Sequence, residues 1–275
     1  MQTTSIRWIR NTALAALAAV TAACSATDTG TTGQLTVQLT DAACSDIASA
    51  DVWISEVYVI GGADSNGARF TISDQDQQYD LLDLRGGVTA SLGTATIPTG
   101  SYTQLRLVVD SARVTLGNGL LFAGGGASVL VHVPSGSQTG IKVNFSGPVQ
   151  VTPGETILVV DFDVCRSFVF TGPAGLPTGI IFTPLLHATV LDVAGSIAGV
   201  AGPAEAKVTV VGILDGDTVA TAAADTVSGA YALRFLHPGT YTVSASATGY
   251  QTATVNSVVV AEAQNVTGVD FTLVP

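Results

Sequence analysis

From Gln34 onward apolar side chains fall on every second residue, with Leu35, Val37 and Leu39 alternating with Thr36, Gln38 and Thr40. Successive side chains of an extended strand point to opposite faces, so this period buries one face of a sheet and wets the other. Similar runs recur at 52–60, 79–84, 102–109, 129–133, 141–145, 157–162 and 185–193. A shorter set follows at 196–200, 207–211, 230–235, 240–247, 254–260 and 269–273. Between the earlier runs stand Gly61-Gly62, Asn66-Gly67, Pro98-Thr99-Gly100, Gly117-Asn118-Gly119, Gly124-Gly125-Gly126, Pro134-Ser135-Gly136 and Pro153-Gly154, whose backbones accept the dihedrals of tight turns. Residues 88–92 are expected to form one helical turn, and no longer helix is expected in the mature chain. The pattern predicts an all-β protein of two β-sandwich domains, with the register restarting around Asp192–Gly195.

Length and charge narrow the partners. The 275 residues leave room for two domains with real cores, and charged residues make up only 11% of the chain. A net charge of −11, with 10 Lys+Arg against 21 Asp+Glu, repels phosphate backbones and argues against nucleic acid. No mature stretch approaches the roughly 18 apolar residues of a spanning helix, so attachment to a membrane is expected only through the N-terminus.

That end reads as an address. Arg7 and Arg10 precede an apolar, alanine-rich run over 12–23, the charged and hydrophobic regions of a secretory signal. Residues 1–23 are assigned to the signal peptide and 24–33, small and polar, to a flexible tether. Val20-Thr21-Ala22-Ala23-Cys24 is similar to the lipobox of bacterial lipoproteins, with Thr21 standing where the pattern prefers an aliphatic residue. The resemblance implies a diacylated Cys24 and, with Ser25 next to it, sorting to the outer membrane, periplasmic or surface-facing. The alternative is cleavage at the Ala-x-Ala-like site and a soluble secreted protein.

Two cysteines then remain, Cys44 and Cys165, in a compartment that permits disulfides; a bond between them is expected, the alternative being two buried thiols. Asp161 and Asp163 are two apart in one run and so share a face, which Cys165 continues. A bridge to Cys44 would draw Asp163 towards Asp41 and Asp46. Such converging carboxylates would suit a hard cation such as Ca²⁺, whereas the simpler reading has Asp41 and Asp163 accepting backbone N–H bonds from neighbouring turns. His132, His187 and His237 are scattered without metal-ligand spacing, no Gly-x-Ser-x-Gly elbow occurs, and Gly124–Gly126 lacks the lysine of a phosphate loop. No catalytic residues and no cofactor are assigned. Trp53 and Tyr58 have opposite parity in their run, so at most one is expected to face solvent, with Trp53 in the core.

Two resemblances add to this. Gln34–Ala42, Trp53–Val59, Tyr79–Leu84, Gly100–Leu107, Val133–Lys142 and Val160–Asp163, in that order, resemble the bacterial lipoprotein domain DUF4382 over residues 34–193. That resemblance implies location and fold rather than chemistry. Residues 195–275 carry Gly195–Gly199, Ala206–Val210, Asp225–Leu233, Pro238–Val243, Gly249-Tyr250 and Phe271–Leu273. They resemble carboxypeptidase regulatory-like modules, whose sandwich is immunoglobulin- or transthyretin-like with Greek-key connections and carbohydrate-binding-like. The turn there is stretched, since Gly229 lies four residues after Asp225. Tyr231 and Tyr241 are expected to cap the core with their hydroxyls, and Tyr250 beside Gly249 is either a sugar-stacking ring or an edge tyrosine covering the rim. The expectation is a non-enzymatic envelope lipoprotein acting as a binding module, with glycan or an envelope protein as partner. The alternative is a structural or surface-assembly subunit that pairs through exposed strand edges.

Overall fold

The computed structural model describes residues 31–41, 46–61, 66–131, 133, 139–145, 147–173 and 175–275. The signal peptide, the lipobox, Cys24, Cys44 and His132 lie outside the described residues, as does most of the tether.

Ten strands open the described chain: β1 (Thr32–Asp41), β2 (Ile47–Gly61), β3 (Arg69–Ser73), β4 (Gln77–Asp80), β5 (Ala90–Pro98), β6 (Gly100–Leu116), β7 (Ser128–Val131), β8 (Ile141–Phe145), β9 (Val149–Val151) and β10 (Glu155–Phe162). A ribbon of β11 (Phe168–Thr171) and β12 (Gly179–Phe182) follows, and then β13 (Leu186–Val190). All but the ribbon join one sheet, ordered β3-β2-β6-β8-β13-β10-β1-β5, with β4 paired to β2 and both β7 and β9 to β6. The sheet folds over until its two ends meet. At that meeting Gly93 of β5 lies so close to β3 that a Cβ would sit 3.0 Å from the Ile72 carbonyl oxygen. The two halves face each other across a core in which Leu35, Val37, Leu39, Leu158, Val160 and Phe162 from one half meet Val52, Ile54, Leu105 and Leu107 from the other.

Alternation carries through β1 and β10 but is reset in β2. Its register with β6 shifts at Trp53/Ile54 and again at Ile54/Glu56, the signature of bulges that change which face a side chain takes. Val52 and Ile54 lie in the core before the shift, Val57 and Val59 after it. Trp53 and Tyr58 therefore share the outer face, and the expectation that parity separates them, with Trp53 in the core, is corrected.

Two further expectations change. The stretch at 88–92 is not a helical turn: it runs into β5, and the short helical turns among the described residues fall at Leu81–Leu84, Val164–Ser167, Leu191–Val193 and Ala204–Ala206. Asp80 starts the first of these by accepting from the Leu82 N–H at 3.1 Å, which competes with extension of the strand. Asp163 caps the turn at Val164–Ser167 and Cys165 lies within it, both beyond the end of β10 at Phe162, so Cys165 does not continue the strand face of Asp161.

The second domain holds β14 (Gly195–Gly202), β15 (Thr209–Leu214), β16 (Asp217–Ala223), β17 (Ala230–Leu236), β18 (Gly239–Ser246), β19 (Ala253–Val260), β20 (Asn265–Val266) and β21 (Phe271–Thr272). One sheet is β17-β14-β20 with β21 also on β14, and the other is β16-β15-β18-β19. Their inner faces enclose a core of Ile197, Val210, Leu233, Tyr241, Val243 and Phe271 among others. The buried tyrosines find partners as buried hydroxyls must: Tyr231 donates to the Val269 carbonyl and Tyr241 to the His237 carbonyl, both at 2.6 Å. Val269 comes this near only because residue 199 is glycine; a Cβ there would fall 2.1 Å from the same carbonyl oxygen. In the stretched turn, the Asp225 carboxylate accepts from the N–H groups of Val227 and Ser228, and Gly229 takes a positive φ of 71°. Among the described residues no helix is long and apolar enough to cross a membrane.

Candidate functional site

The outer face of β10 and β13 is where the two domains meet. Inner-face Leu158, Val160 and Phe162 leave Val159, Asp161 and Asp163 facing outward, yet Val159 is only 1% exposed. Val219, Phe235, Leu236 and Tyr241 of the second domain share with Val159, Asp161, His187 and Thr189 a space of only ≈ 10 Å³, room for no more than about one water. Larger cavities open nearby. One of ≈ 190 Å³ is lined by Thr40, Asp41, Gly87, Asp161, Thr221 and Arg234 among others. Another, of ≈ 430 Å³, includes Arg166, His187, Asp215 and Asp217.

Each candidate carboxylate has a distinct place. Asp163 caps the helical turn, its Oδ1 accepting from the Arg166 N–H at 2.9 Å, and its Oδ2 accepts from the Thr221 hydroxyl of the second domain at 3.0 Å. Asp41 Oδ1 accepts from the Val164 N–H at 3.2 Å. Asp46 is exposed and accepts from Asn118 at 3.4 Å. Asp161 stands directly opposite His187 in the β10–β13 register. Its Oδ1 and the His187 Nε2 are sealed from solvent without a hydrogen-bond partner. Burial first, and then the neighbouring Asp163, push the Asp161 carboxyl up to about 8. Burial likewise lowers the His187 pKa, with Arg166 helping and Asp163 and Asp217 opposing. At neutral pH the facing pair is therefore a carboxylic acid and an uncharged imidazole. Among the described residues no group of three or more His, Cys, Asp or Glu is arranged to hold a metal ion.

The seam is thus fastened by polar bonds at its margins. Besides the bond from Thr221 to Asp163, Arg166 Nη1 donates to the Thr218 carbonyl at 3.0 Å. The Arg234 side chain crosses Gly87, where a Cβ would come within 2.9 Å of its Cδ. Phe235 adopts φ +53°, strained for an aromatic residue, where the β14–β17 register shifts and turns this edge of β17 towards the seam. Sequence reasoning found Asp161 and Asp163 but not Thr221, Arg234 or Phe235, whose roles arise only when the second domain docks. Replacing Thr221 with valine keeps the shape and leaves a buried carboxylate oxygen unsatisfied. The expected result is a loss of about 2 kcal/mol in denaturant unfolding, with faster amide exchange in β16; unchanged unfolding would show that the bond does not fasten the seam.

The aromatic candidate lies elsewhere. Tyr250 follows the turn closed by its N–H donating to the Ala247 carbonyl at 3.1 Å, and its ring packs half-buried against the second core.

Fold and seam define a tandem of all-β sandwich modules with a cluster of buried ionisable groups, among the described residues, at the joint between them. The model of the family described as a domain of unknown function, DUF4382, matches residues 32–184, more than half of the 275, and the chain belongs to that family. The carboxypeptidase regulatory-like domain, a regulatory rather than a catalytic type by its description, matches residues 187–274. No curated protein matches the chain.

Similar solved structures include the Bacillus anthracis TIE protein, at 10% identity and TM-score 0.22, covering 89% of this chain and 35% of that one. The chain thus spans about a third of that protein's length. A double mutant of the shaft pilin SpaA from Lactobacillus rhamnosus GG matches at 12% identity and TM-score 0.22, covering 87% of this chain and 97% of the pilin. The C-terminal fragment of pilus adhesin SpaC from the same organism matches at 9% identity and TM-score 0.19, covering 88% and 98%. Likeness at that level says nothing of what this chain binds or assembles with.

Proposed function

We propose that the chain is a non-enzymatic cell-envelope lipoprotein, anchored through Cys24 in the outer membrane, that acts as a binding module with carbohydrate as its first ligand class. The observation that carries this reading is the use made of the buried ionisable cluster. Asp41 and Asp163 accept bonds that shape the turn after β10 and join the domains, and Asp161 and His187 face each other with room for about one water. Groups so committed hold two modules together rather than meeting a substrate. Carbohydrate enters through the carbohydrate-binding-like fold of the second module, by analogy. A glycan array probed with the processed protein is expected to give reproducible hits; an array without any would remove the carbohydrate part of the reading.

A disulfide between Cys44 and Cys165 belongs to the same proposal. β1 and β10 run parallel in register, with Asp41 opposite Phe162, so each cysteine lies three residues past the same end of adjacent strands. Mass spectrometry of membrane-extracted protein is expected to show acyl groups on Cys24 and no free thiol; an unacylated chain would leave a secreted protein in place of an anchored one.

A second reading, a subunit that assembles by strand pairing, is favoured by β19. It is an edge strand, residues 238–261 carry no charge, and Val255 and Val259 are 37% and 59% exposed. Concentration-dependent oligomers in sedimentation would favour it over the first reading.

A further inference from the structure

Eight of the described residues are Lys or Arg, and four of them, Arg69, Arg106, Arg113 and Lys142, stand on β3, β6 and β8. Because the bulges in β2 bring Trp53 and Tyr58 to the outer face, these cations share that face with two aromatic rings. The second domain covers the outer face of β10 and β13 and leaves this one exposed at Arg69, Arg113 and Lys142.

The rows differ in how their charge is met. Arg69 lies 3.6 Å over the Tyr58 ring and is ion-paired with Glu56. Arg113 lies 5.5 Å from the Trp53 ring and stands opposite Asp51 in register. Arg106 and Lys142, in the row between, have no carboxylate partner among the described residues. Thr71, Tyr58, Arg106 and Lys142 face one another in succession across β3, β2, β6 and β8. Arg106 donates from Nη1 to the Gly140 carbonyl at 3.2 Å and from Nη2 to the Gln104 side-chain oxygen at 3.1 Å, both neutral acceptors. Among the described residues the one ion pair is that of Arg69 with Glu56. Two like charges directly opposite on neighbouring strands destabilise a sheet. This row places them so in a chain of net charge −11, where a neutral or acidic residue would be the expected occupant.

We infer that the outer face of β2, β6 and β8 binds an acidic polysaccharide, with Arg106 and Lys142 receiving a sugar carboxylate. The inference rests on the proposed binding function and adds where the ligand sits and what charge it carries. A carboxylate over the row relieves the Arg106–Lys142 repulsion and forms charge-assisted bonds to both. Trp53, under Arg113, lies on the same face beyond the Glu56–Val108 pair and takes no part in holding the carboxylate. The net negative charge of the protein does not forbid this, because charges beyond the Debye length of about 8 Å at physiological salt are largely screened.

The test uses the processed full-length protein in affinity electrophoresis through gels containing polygalacturonate, with neutral starch in a parallel gel. The wild type is expected to be retarded by polygalacturonate and not by starch, and to lose the retardation as salt is added. Lys142→Glu, an exposed change, is expected to weaken binding at least tenfold, and Lys142→Gln by less; unchanged melting temperatures would show that both variants fold. Equal retardation of wild type and Lys142→Glu overturns the inference while leaving carbohydrate binding in place. Retardation by starch alone does the same. Association with anionic vesicles and not with polygalacturonate overturns it in favour of a lipid headgroup, and no retention by any glycan removes both readings.

Discussion

Replacing Asp161 with asparagine is expected to raise the melting temperature at pH 8 and to leave it nearly unchanged at pH 3. Burial, reinforced by Asp163, holds the folded carboxyl at about 8 against an ordinary value of 3.8. The folded chain therefore keeps a proton over a range in which the unfolded chain has released it, and through that range stability falls by about 1.4 kcal/mol for each unit of rising pH. Below the unfolded value the group is neutral in both states. Above the folded value it is charged in both, and the penalty has reached its full size of several kcal/mol. His187 acts with the opposite sign. Its lowered pKa, set mainly by burial, gives a contribution that is present above 6.5 and is lost as pH falls through the folded value. The charged groups around the pair are Asp163, Asp217 and Arg166, with Arg234 lining the same space. Asparagine should flatten the alkaline limb and spare the acid one in thermal unfolding between pH 3 and 9. Parallel curves for the two proteins would mean that Asp161 does not carry a buried charge.

The strands legible in the sequence were those whose apolar side chains fall on alternate residues, whatever covers the other face. β1, β8, β10 and β18 alternate cleanly and lie where the pattern places them. β16 escaped notice because Thr218–Ala223 is built from small residues; against the first domain it needs no bulky side chain, and alanines carry little periodic signal. The ribbon of β11 and β12 was missed for a related reason, being short and closed by a turn rich in glycine and proline. At 88–92 a helical turn was expected, but no such turn forms. Pairing of Ala90 and Ser91 with Leu39 and Gln38 of β1 draws the chain into β5 instead.

The site was legible only in part. Asp161 lies on the outer face of β10, and Asp163, just past the strand end, turns to the same side to meet Thr221; strand-end chemistry suggested that Asp41 and Asp163 would accept backbone N–H bonds. What occupies the space above that face could not be read, since Thr221 and Arg234 approach it from a domain whose docking leaves no periodic trace in either segment. The outer aromatic face was hidden by the opposite obstacle. Strict alternation separates Trp53 from Tyr58, and only the bulges between them, which no glycine or proline marks in 51–60, bring the two rings to one side.

Replacing Phe162 with alanine is expected to destabilise the chain by about 3–5 kcal/mol and to free the β11–β12 ribbon before the rest unfolds. Phe162 is 0% exposed. Its ring stacks with Phe168 at 6.3 Å and with Phe182 at 6.2 Å, and those two stack with each other at 5.0 Å. Phe168 opens β11 and Phe182 closes β12. The ribbon is not hydrogen-bonded into the main sheet, and its other face leaves Val169 and Ile181 45% and 54% exposed. The three rings, with Phe170 and Ile180 beside them, attach it to the first core, and removing the central ring opens a cavity that the surrounding strands cannot close without breaking their ladders. Urea unfolding should show the lower midpoint. Hydrogen exchange should show lost protection at 168–171 and 179–182 under conditions where β6 and β10 stay protected. Uniform loss of protection across the first domain would mean instead that the ribbon and the main sheet unfold as one unit.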